Sequence, residues 1–354
     1  MNADPESPAA LVALCPAHAA TPLLDLPRLA AALQVASLSV KDEGRRPLGS
    51  FKALGGVYAG LRALASAAGV PTRALLDPAR VRTPLPALVC ASAGNHGLSV
   101  ASAARLAGAR ARVFIAERIP EARAARVADK GAEVVLVAGS FDDAVRRATE
   151  AARAQGDLLI PDTSADPDDL VVRDVMAGYG ILAEEIRAEI AAGRRQAPTH
   201  IFVQAGVGGL AAAVTAGLSE TLAPPARIVV VEPERAACVA VALAAGRVTR
   251  VDGALDTSAE MLACGEASAP ALAVLLRHRV DTLSVSEAAL HEAPEFLRAH
   301  DGPATTPSGA AGLAGLIVAA NDPRLAARFE LTAAESRPLL IVSESLGGID
   351  FVEA

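Results

Sequence analysis

No run of lysine and arginine occurs anywhere in this sequence. Its 33 basic residues lie scattered among 40 acidic ones, for a formal net charge of -7. The continuous positive face that nucleic acid requires is therefore missing, and no such partner is expected. No uninterrupted apolar stretch reaches the ~18 residues of a membrane span. The opening segment MNADPESPAALVALCPAHAA has acids where a secretory leader carries lysine or arginine. These absences predict a cytoplasmic chain with no membrane association. Cysteine is scarce: the four, at 15, 90, 238 and 264, have neither CxxC spacing nor the density of a disulfide scaffold. They read as small, mostly buried thiols, and no metal site is expected. There is no internal repeat.

What the sequence does have is apolar mass. With 354 residues and 52% hydrophobic content, it can bury a large core and is long enough for two domains. Valine-, isoleucine- and leucine-rich runs end in glycine-rich loops and lead into alanine-rich helices. LPALVCASAGNHG precedes LSVASAARLAGA, THIFVQAGVGG precedes LAAAVTAGL, and ARIVVVEPE precedes RAACVAVALAAG. Continuous apolar strands alternating with helices predict an α/β protein with parallel sheets covered on both faces. The stretches 69–86 and 193–200 read as loops between elements.

Three segments carry chemistry. In GSFKALGG, residues 49–56, the spacing of Phe51, Leu54 and Tyr58 predicts a helix. Yet Gly55 and Gly56 stand three and four positions after Lys52, on its own side of that helix, at a cost of ~1 kcal/mol each relative to alanine. In THIFVQAGVGGLAAAV a strand ends near Gln204, and Gly206, Val207, Gly208 and Gly209 turn the chain into a helix. Backbone N–H groups converging at a helix start suit a phosphate. A dinucleotide reading also stands here, since Glu232 ends the next strand 26 residues after Gly206 (232 − 206). In ALVCASAGNHGLSV, the residues Ser92, Ala93, Gly94, Asn95, His96 and Gly97 form a loop of small residues before a helix, suited to a carboxylate. Taken singly, Asn95 and His96 are more often a turn residue and a satisfied surface histidine than ligands.

GSFK, SAGNHG and the glycine loop of QAGVGGL, in that order, resemble the fold-type II family of pyridoxal-phosphate enzymes, the group of tryptophan synthase β, threonine dehydratase, serine racemase and cysteine synthase. VKDEGRRPLGSFKALGGVYA, VVVEPERAACV and MLACGEAS are most similar to the diaminopropionate ammonia-lyases, while SAGNHG is closer to serine/threonine dehydratases. The resemblance implies two three-layer parallel-sheet domains with the active site between them: a large cofactor-binding domain of residues 1–58 and 185–354, and a small one of 59–184. It implies that Lys52 forms the Schiff base with pyridoxal 5'-phosphate and that Gly206, Val207, Gly208 and Gly209 cradle the phosphate. Asn95 would contact the ring hydroxyl oxygen, and Ser92, Ala93, Gly94, Asn95 and His96 the substrate carboxylate. On this reading the bare surface at Gly55 and Gly56 lets backbone or cofactor approach closely. Asp162, in LLIPDTSADPDD, matches a catalytic base, with a loop or capping aspartate as the alternative. Ser345, in PLLIVSESLGGID, would lie beneath the pyridine nitrogen as a neutral partner suited to elimination or replacement at Cβ, and Ser343 takes that place if the strand register shifts.

Two positions depart from the ammonia-lyase pattern. Ala93 replaces an aspartate that serves the D-isomer of the substrate, which favours L-substrates. Thr306 stands where relatives often carry a glutamate linked to cation binding. The expected activity is α,β-elimination on a small L-amino acid such as 2,3-diaminopropionate, serine or threonine, giving a 2-oxo acid and ammonia, and the assembly implied by the relatives is a homodimer. A β-replacement transferase resembling cysteine synthase, or a cofactor- or metabolite-binding protein without turnover, are the alternatives.

Overall fold

The computed structural model describes residues 7–12, 15, 18–76, 84–332 and 334–346. In chain order these form α1 (Pro8–Val12), β1 (Leu23–Asp25), α2 (Pro27–Ala32), β2 (Ser39–Asp42), α3 (Lys52–Ala68), β3 (Leu88–Ala91), α4 (Asn95–Leu106) and β4 (Ala111–Ala116). There follow α5 (Glu121–Ala128), β5 (Glu133–Val137), α6 (Phe141–Gln155), β6 (Leu158–Leu159), α7 (Leu170–Ala191), β7 (His200–Gln204), α8 (Gly209–Leu218) and β8 (Arg227–Pro233). The remainder are α9 (Cys238–Ala245), α10 (Ala269–His278), β9 (Asp281–Val285), α11 (Glu287–Ala299), α12 (Pro307–Asn321), α13 (Pro323–Phe329) and β10 (Pro338–Val342).

Two compact units result. The first takes the described residues up to Ala19 together with 52–162 and 169–181, and the second takes 20–51, 163–168 and the residues from Leu182 onward. This division differs from the expected one, which assigned residues 1–58 to the large domain. The difference has a packing cause: α3 lies along α4 over most of its length, and α1 packs on α3, so both fall in the first unit.

The first unit is built on a four-stranded sheet of order β5-β4-β3-β6, parallel throughout. The chain lays β3, β4 and β5 outward in one direction and then returns to put β6 on the other flank of β3. The second unit repeats this device in a six-stranded sheet of order β1-β2-β10-β7-β8-β9. There β7, β8 and β9 run outward, and β10 returns to the other flank of β7. Such reversals open a crevice at the carboxyl ends of the two diverging strands. Among the described strands the expectation of parallel sheets fails at the edge strand β1, which pairs antiparallel with β2. Leu26 N donates to Leu38 O at 3.1 Å, closing the excursion through α2 like a hairpin, so the chain re-enters the sheet at the end where it left.

The central strands read as unbroken apolar runs because both their faces are covered. HIFVQ of β7 and PLLIV of β10 are buried at every position. The second core gathers Phe202, Val229, Val231, Leu340 and Val342 against Leu313 and Leu316 of α12. A smaller core in the first unit joins Val89, Phe114 and Val137 to Ala144, Ala148 and Ala152 of α6.

The glycines of α3 find their explanation in this packing. A Cβ on Gly56 would stand 1.8 Å from Ser99 Oγ of α4, and one on Gly60 2.7 Å from Ala103 Cβ. On Gly55 it would stand 2.3 Å from the Tyr179 ring and 2.6 Å from Val175 O, both of α7. The surface beside Lys52 is therefore stripped so that two helices can approach α3.

Gly56→Ala should lose stability, because overpacking of about 1–3 kcal/mol outweighs the ~1 kcal/mol gain in helix propensity. Adding Ser99→Gly removes the clashing atoms, so urea denaturation should show the double variant losing less than the sum of the single losses. Strict additivity would contradict the contact.

Candidate active site

Strand β3 of the first unit ends at Ala91 and hands the chain to Ser92, Ala93 and Gly94, after which α4 begins at Asn95. On the other side of the reversal, β6 pairs with β3 and Ile160 N donates to Val89 O at 2.8 Å, so residues 160–162 leave the sheet beside that loop. His96 joins the two. It is buried, not at the surface, and its Nε2 meets the Ile160 carbonyl at 2.8 Å. A carbonyl can only accept, so Nε2 carries the proton. Burial, with the Lys52 charge acting in the same direction, lowers the ring's pKa despite Asp162 and keeps it neutral. Its buried Nδ1 has no hydrogen-bond partner among the described residues. Ser92 Oγ accepts from Gly94 N at 3.2 Å, and Gly97 leaves room for Ser92 O, from which a Cβ would be 2.2 Å away.

Lys52 opens α3 and reaches this crevice. Its Nζ lies 2.7 Å from Asp162 Oδ2, with side-chain exposures of 21% and 26%. Burial works against the ammonium, but Asp162 and then Tyr179 more than offset it, so the amine's pKa lies above the ordinary lysine range. Burial likewise works against the carboxylate, but Lys52 and His96 hold the Asp162 pKa well below the ordinary range. The pair is thus an ammonium and a carboxylate across the neutral pH range. Beneath it, the ring centroid of Tyr179 is 5.5 Å from Nζ. Burial pushes the phenol up to about 12 although the Lys52 charge opposes this, so it stays protonated. Tyr179 was not singled out from sequence. The available signal was Gly178 beside it, where a Cβ would stand 2.7 Å from Gly55 Cα, but matching two glycines 123 positions apart (178 − 55) requires the fold.

The remaining expected positions gather in the second unit, at its own reversal between β7 and β10. Gly206 and Val207 follow β7, Gly208 adopts φ 95° as N-cap, and α8 begins at Gly209. The left-handed φ at Gly208 is one that side-chain-bearing residues resist. It lets the first turn present its N–H groups at the helix start. A Cβ at Gly206 would be 3.0 Å from Cys264 Sγ and 3.2 Å from Met261 O, tight enough that a side chain there needs its neighbours to shift by a few tenths of an ångström.

Glu232 is occupied elsewhere. Its Oε1 accepts from Val239 N at 2.7 Å and its Oε2 from Ala240 N at 2.8 Å, capping α9. Both oxygens are thus engaged by the protein, which removes the ribose-binding reading. Burial pushes its pKa up to about 8 against those two bonds.

Ser343 and Ser345 follow β10. Ser343 Oγ lies 3.0 Å from Gln204 Nε2 at the end of β7. Ser345 is half-buried, its N donating to Gly49 O at 2.9 Å. Thr306 caps α12 by accepting from Gly309 N at 3.0 Å, and it donates to Glu344 Oε1 at 2.6 Å. A buried carboxylate therefore does stand at Thr306, supplied by a different segment. Among the described residues no group of three or more histidine, cysteine, aspartate or glutamate side chains gathers as a metal site.

The chain contains three lysines, Lys41, Lys52 and Lys130. Lys41 is buried, its Nζ bonded to Thr21 O at 2.7 Å and to the Glu185 carboxylate, within a cluster completed by Glu43 and Arg46. Lys130 follows α5. Only Lys52 is both in a crevice and paired with a carboxylate there. Taken each within its own unit, Lys52 offers an amine that can hold an aldehyde carbon and the start of α8 a glycine-lined helix end that can hold a phosphate, chemistry that fits pyridoxal phosphate.

A family model for pyridoxal-phosphate dependent enzymes matches residues 14–330. The chain belongs to that family. Its cofactor is pyridoxal phosphate and its fold is fold type II. Among its relatives is the diaminopropionate ammonia-lyase of Salmonella typhimurium, 34% identical over 261 residues, which cover 71% of this chain and 65% of that protein. The biosynthetic L-threonine dehydratase of Haemophilus influenzae is 31% identical over 303 residues, 84% of this chain and 52% of that one. Both matches thus span less than two thirds of the relative's own length. The crystal structure of holo diaminopropionate ammonia lyase from Escherichia coli superposes with a TM-score of 0.86 at 26% identity, covering 96% of this chain and 87% of that one. No described helix is long and apolar enough to cross a membrane.

The buried Glu232 gives a pH test. A folded pKa raised from 4.5 to about 8 means that its favourable contribution is complete below pH 4.5 and is lost as pH rises through about 8. The stability of the unmodified chain relative to Glu232→Gln should therefore fall between pH 5 and pH 8, as followed by thermal melting at each pH. A constant gap would mean the carboxyl is ionised throughout.

Proposed function

We propose that this chain is a pyridoxal-phosphate-dependent ammonia-lyase, working as a cytoplasmic homodimer. It would eliminate a Cβ leaving group and the amino group from a small L-amino acid such as 2,3-diaminopropionate, serine or threonine, giving a 2-oxo acid and ammonia. The observation that carries this reading is the 2.7 Å contact of Lys52 Nζ with Asp162 Oδ2 beside the Ser92–His96 loop, in a chain akin to ammonia-lyases and dehydratases.

Pyridoxal phosphate, when bound, supplies an electron sink for charge developing at the substrate Cα. Lys52 would hold it through Nζ, the N–H groups of Gly206, Val207, Gly208 and Gly209 would hold its phosphate, Asn95 its ring hydroxyl oxygen and Ser345 its pyridine nitrogen. The backbone of Ser92, Ala93, Gly94, Asn95 and His96 would bind the substrate carboxylate. Lys52 must give up its proton, and so leave Asp162, before its nitrogen can act as nucleophile or base. Opening that pair leaves burial of Asp162 without its largest counterweight, which raises the carboxyl toward the range of a general base. The same contact that keeps the resting amine charged thereby prepares two groups to move the Cα proton. Ala93 offers only a methyl where the ammonia-lyases hold a second acid, so these two groups act alone and on one enantiomer.

Borohydride reduction of the yellow protein should fix the cofactor on the peptide containing Lys52, and an amino-acid panel should yield ammonia and 2-oxo acid in parallel. Label on Lys41 or Lys130 would refute the lysine assignment. A thioether product on adding a thiol, in place of 2-oxo acid, would indicate a replacement enzyme.

L-Diaminopropionate, L-serine or L-threonine should react faster than the D-forms, and Asp162→Asn should slow the L-reaction about 100-fold or more if the aspartate is the base. Equal rates for D- and L-diaminopropionate would show that Ala93 has no stereochemical consequence.

A further inference from the structure

One edge of the second unit's sheet carries a cavity that the proposed reaction leaves unused. Asp25, Ser39 and Leu339 stand in register across β1, β2 and β10, so their side chains share one face of the sheet. Leu23, two residues before Asp25, lies on that face as well. Ile186 and Ile190, one turn apart near the end of α7, stand against it. The loop that follows α7 brings Arg194, Arg195 and Gln196 to the rim, and Arg337 enters from the start of β10. The space enclosed is about 460 Å³, and none of the residues assigned to cofactor or substrate lines it.

Its polar groups are mostly donors. The Arg195 guanidinium is anchored, with Nη2 donating to Leu23 O at 2.8 Å and Nη1 3.5 Å from Asp25 Oδ2. The half-buried Arg337 guanidinium donates to carbonyls alone among the described residues, from Nε to Ala197 O at 3.0 Å and from Nη1 to Glu335 O at 3.2 Å. Its charge thus has no carboxylate partner there, a costly state for a cation partly withdrawn from water. The side chains of Ser37 and Gln196 make no hydrogen bond to another described residue, which leaves a hydroxyl and an amide to offer.

The charge count sets the sign and size of what fits. Three arginines against Asp25 give the lining a formal charge of +2 (3 − 1). Glu189, outside the lining, pairs with Arg194 through bonds of 2.9 and 2.8 Å, which leaves +1 (2 − 1). A second space of about 340 Å³ shares Asp25, Ala36 and Ser37 with the first and continues along α2 past Pro27, Ala31 and Val35. The positive end therefore opens onto an apolar one.

We propose that this cavity binds a small organic monocarboxylate with an apolar body, its carboxylate held by the Arg337 fork at the rim with Arg194 and its hydrocarbon laid on Leu23, Leu339 and α2. A planar guanidinium matches a carboxylate in shape as well as in charge. The single surplus charge favours a monoanion over a phosphate dianion.

Hexanoate is the probe, titrated by calorimetry into the full chain loaded with pyridoxal phosphate, and hexanol supplies the same body without the charge. Hexanoate should saturate one site per chain and bind at least ~10-fold more tightly than hexanol. Arg337→Gln should weaken it by about 10-fold or more, and Arg194→Gln, at a side chain 59% exposed and so tolerant of change, by several-fold. Hydrogen exchange should slow on binding within residues 36–39 and 194–198. No saturation up to about 10 mM, unchanged affinity in both variants, or protection confined to other segments would each overturn the proposal. Tighter binding of inorganic phosphate at the same residues would overturn the carboxylate assignment. If Arg337→Gln does not fold, Arg194→Gln and the exchange pattern decide.

Discussion

A primary amine kept charged in a half-buried crevice needs a counter-charge within a few ångströms, and the architecture of the first unit follows from supplying one. Lys52 is the first residue of α3, Asp162 lies just beyond β6, and 110 positions separate them in sequence (162 − 52). They meet because β6 returns to the flank of β3 rather than continuing outward past β5. Without that reversal the lysine would bear its desolvation cost alone and would shed its proton instead.

The second unit solves a different electrostatic problem by the same topological means. Its reversal between β7 and β10 leaves a glycine loop at the start of α8, where backbone dipoles supply partial positive charge without a cationic side chain. Gln204, the last residue of β7, points its Nε2 at Ser343 Oγ and at the carbonyls of Gly309 and Ile341, each at 3.0 Å. That one amide ties the ends of both diverging strands to α12. Glu232 fixes the start of α9, the helix after the next strand, through two backbone N–H groups.

Much of this was legible in the sequence because it is local. Alternating apolar runs and glycine loops gave the strand and helix order, and Gly206 to Gly209 can be read as a strand-to-helix turn from consecutive residues alone. What escaped depends on contacts distant in the chain. Gly55 and Gly56 looked like clearance for backbone or cofactor, yet their neighbours are Tyr179 and Ser99 on other helices. Thr306 looked like the loss of a carboxylate, whereas Glu344 brings one to it from 38 positions away. The N-terminal helix α1 carries no mark of the unit it joins, since its partner is a face of α3. His96 has the polarity of a surface residue, and only the carbonyl of Ile160 accounts for its burial.

The sparing use of lysine has its own bearing on a protein that handles an aldehyde. Aldehydes condense with any unprotonated primary amine they reach, so each accessible lysine is a competing sink. Here most positive charge is carried by arginine, whose guanidinium does not form such imines readily and remains protonated. Of the other two lysine amines, Lys41 is enclosed by its own carboxylates at 1% exposure, which leaves Lys130 as the one side-chain amine outside a built ion cluster. Competition with Lys52 for the aldehyde is thereby narrowed, among the side chains, to the single amine of Lys130.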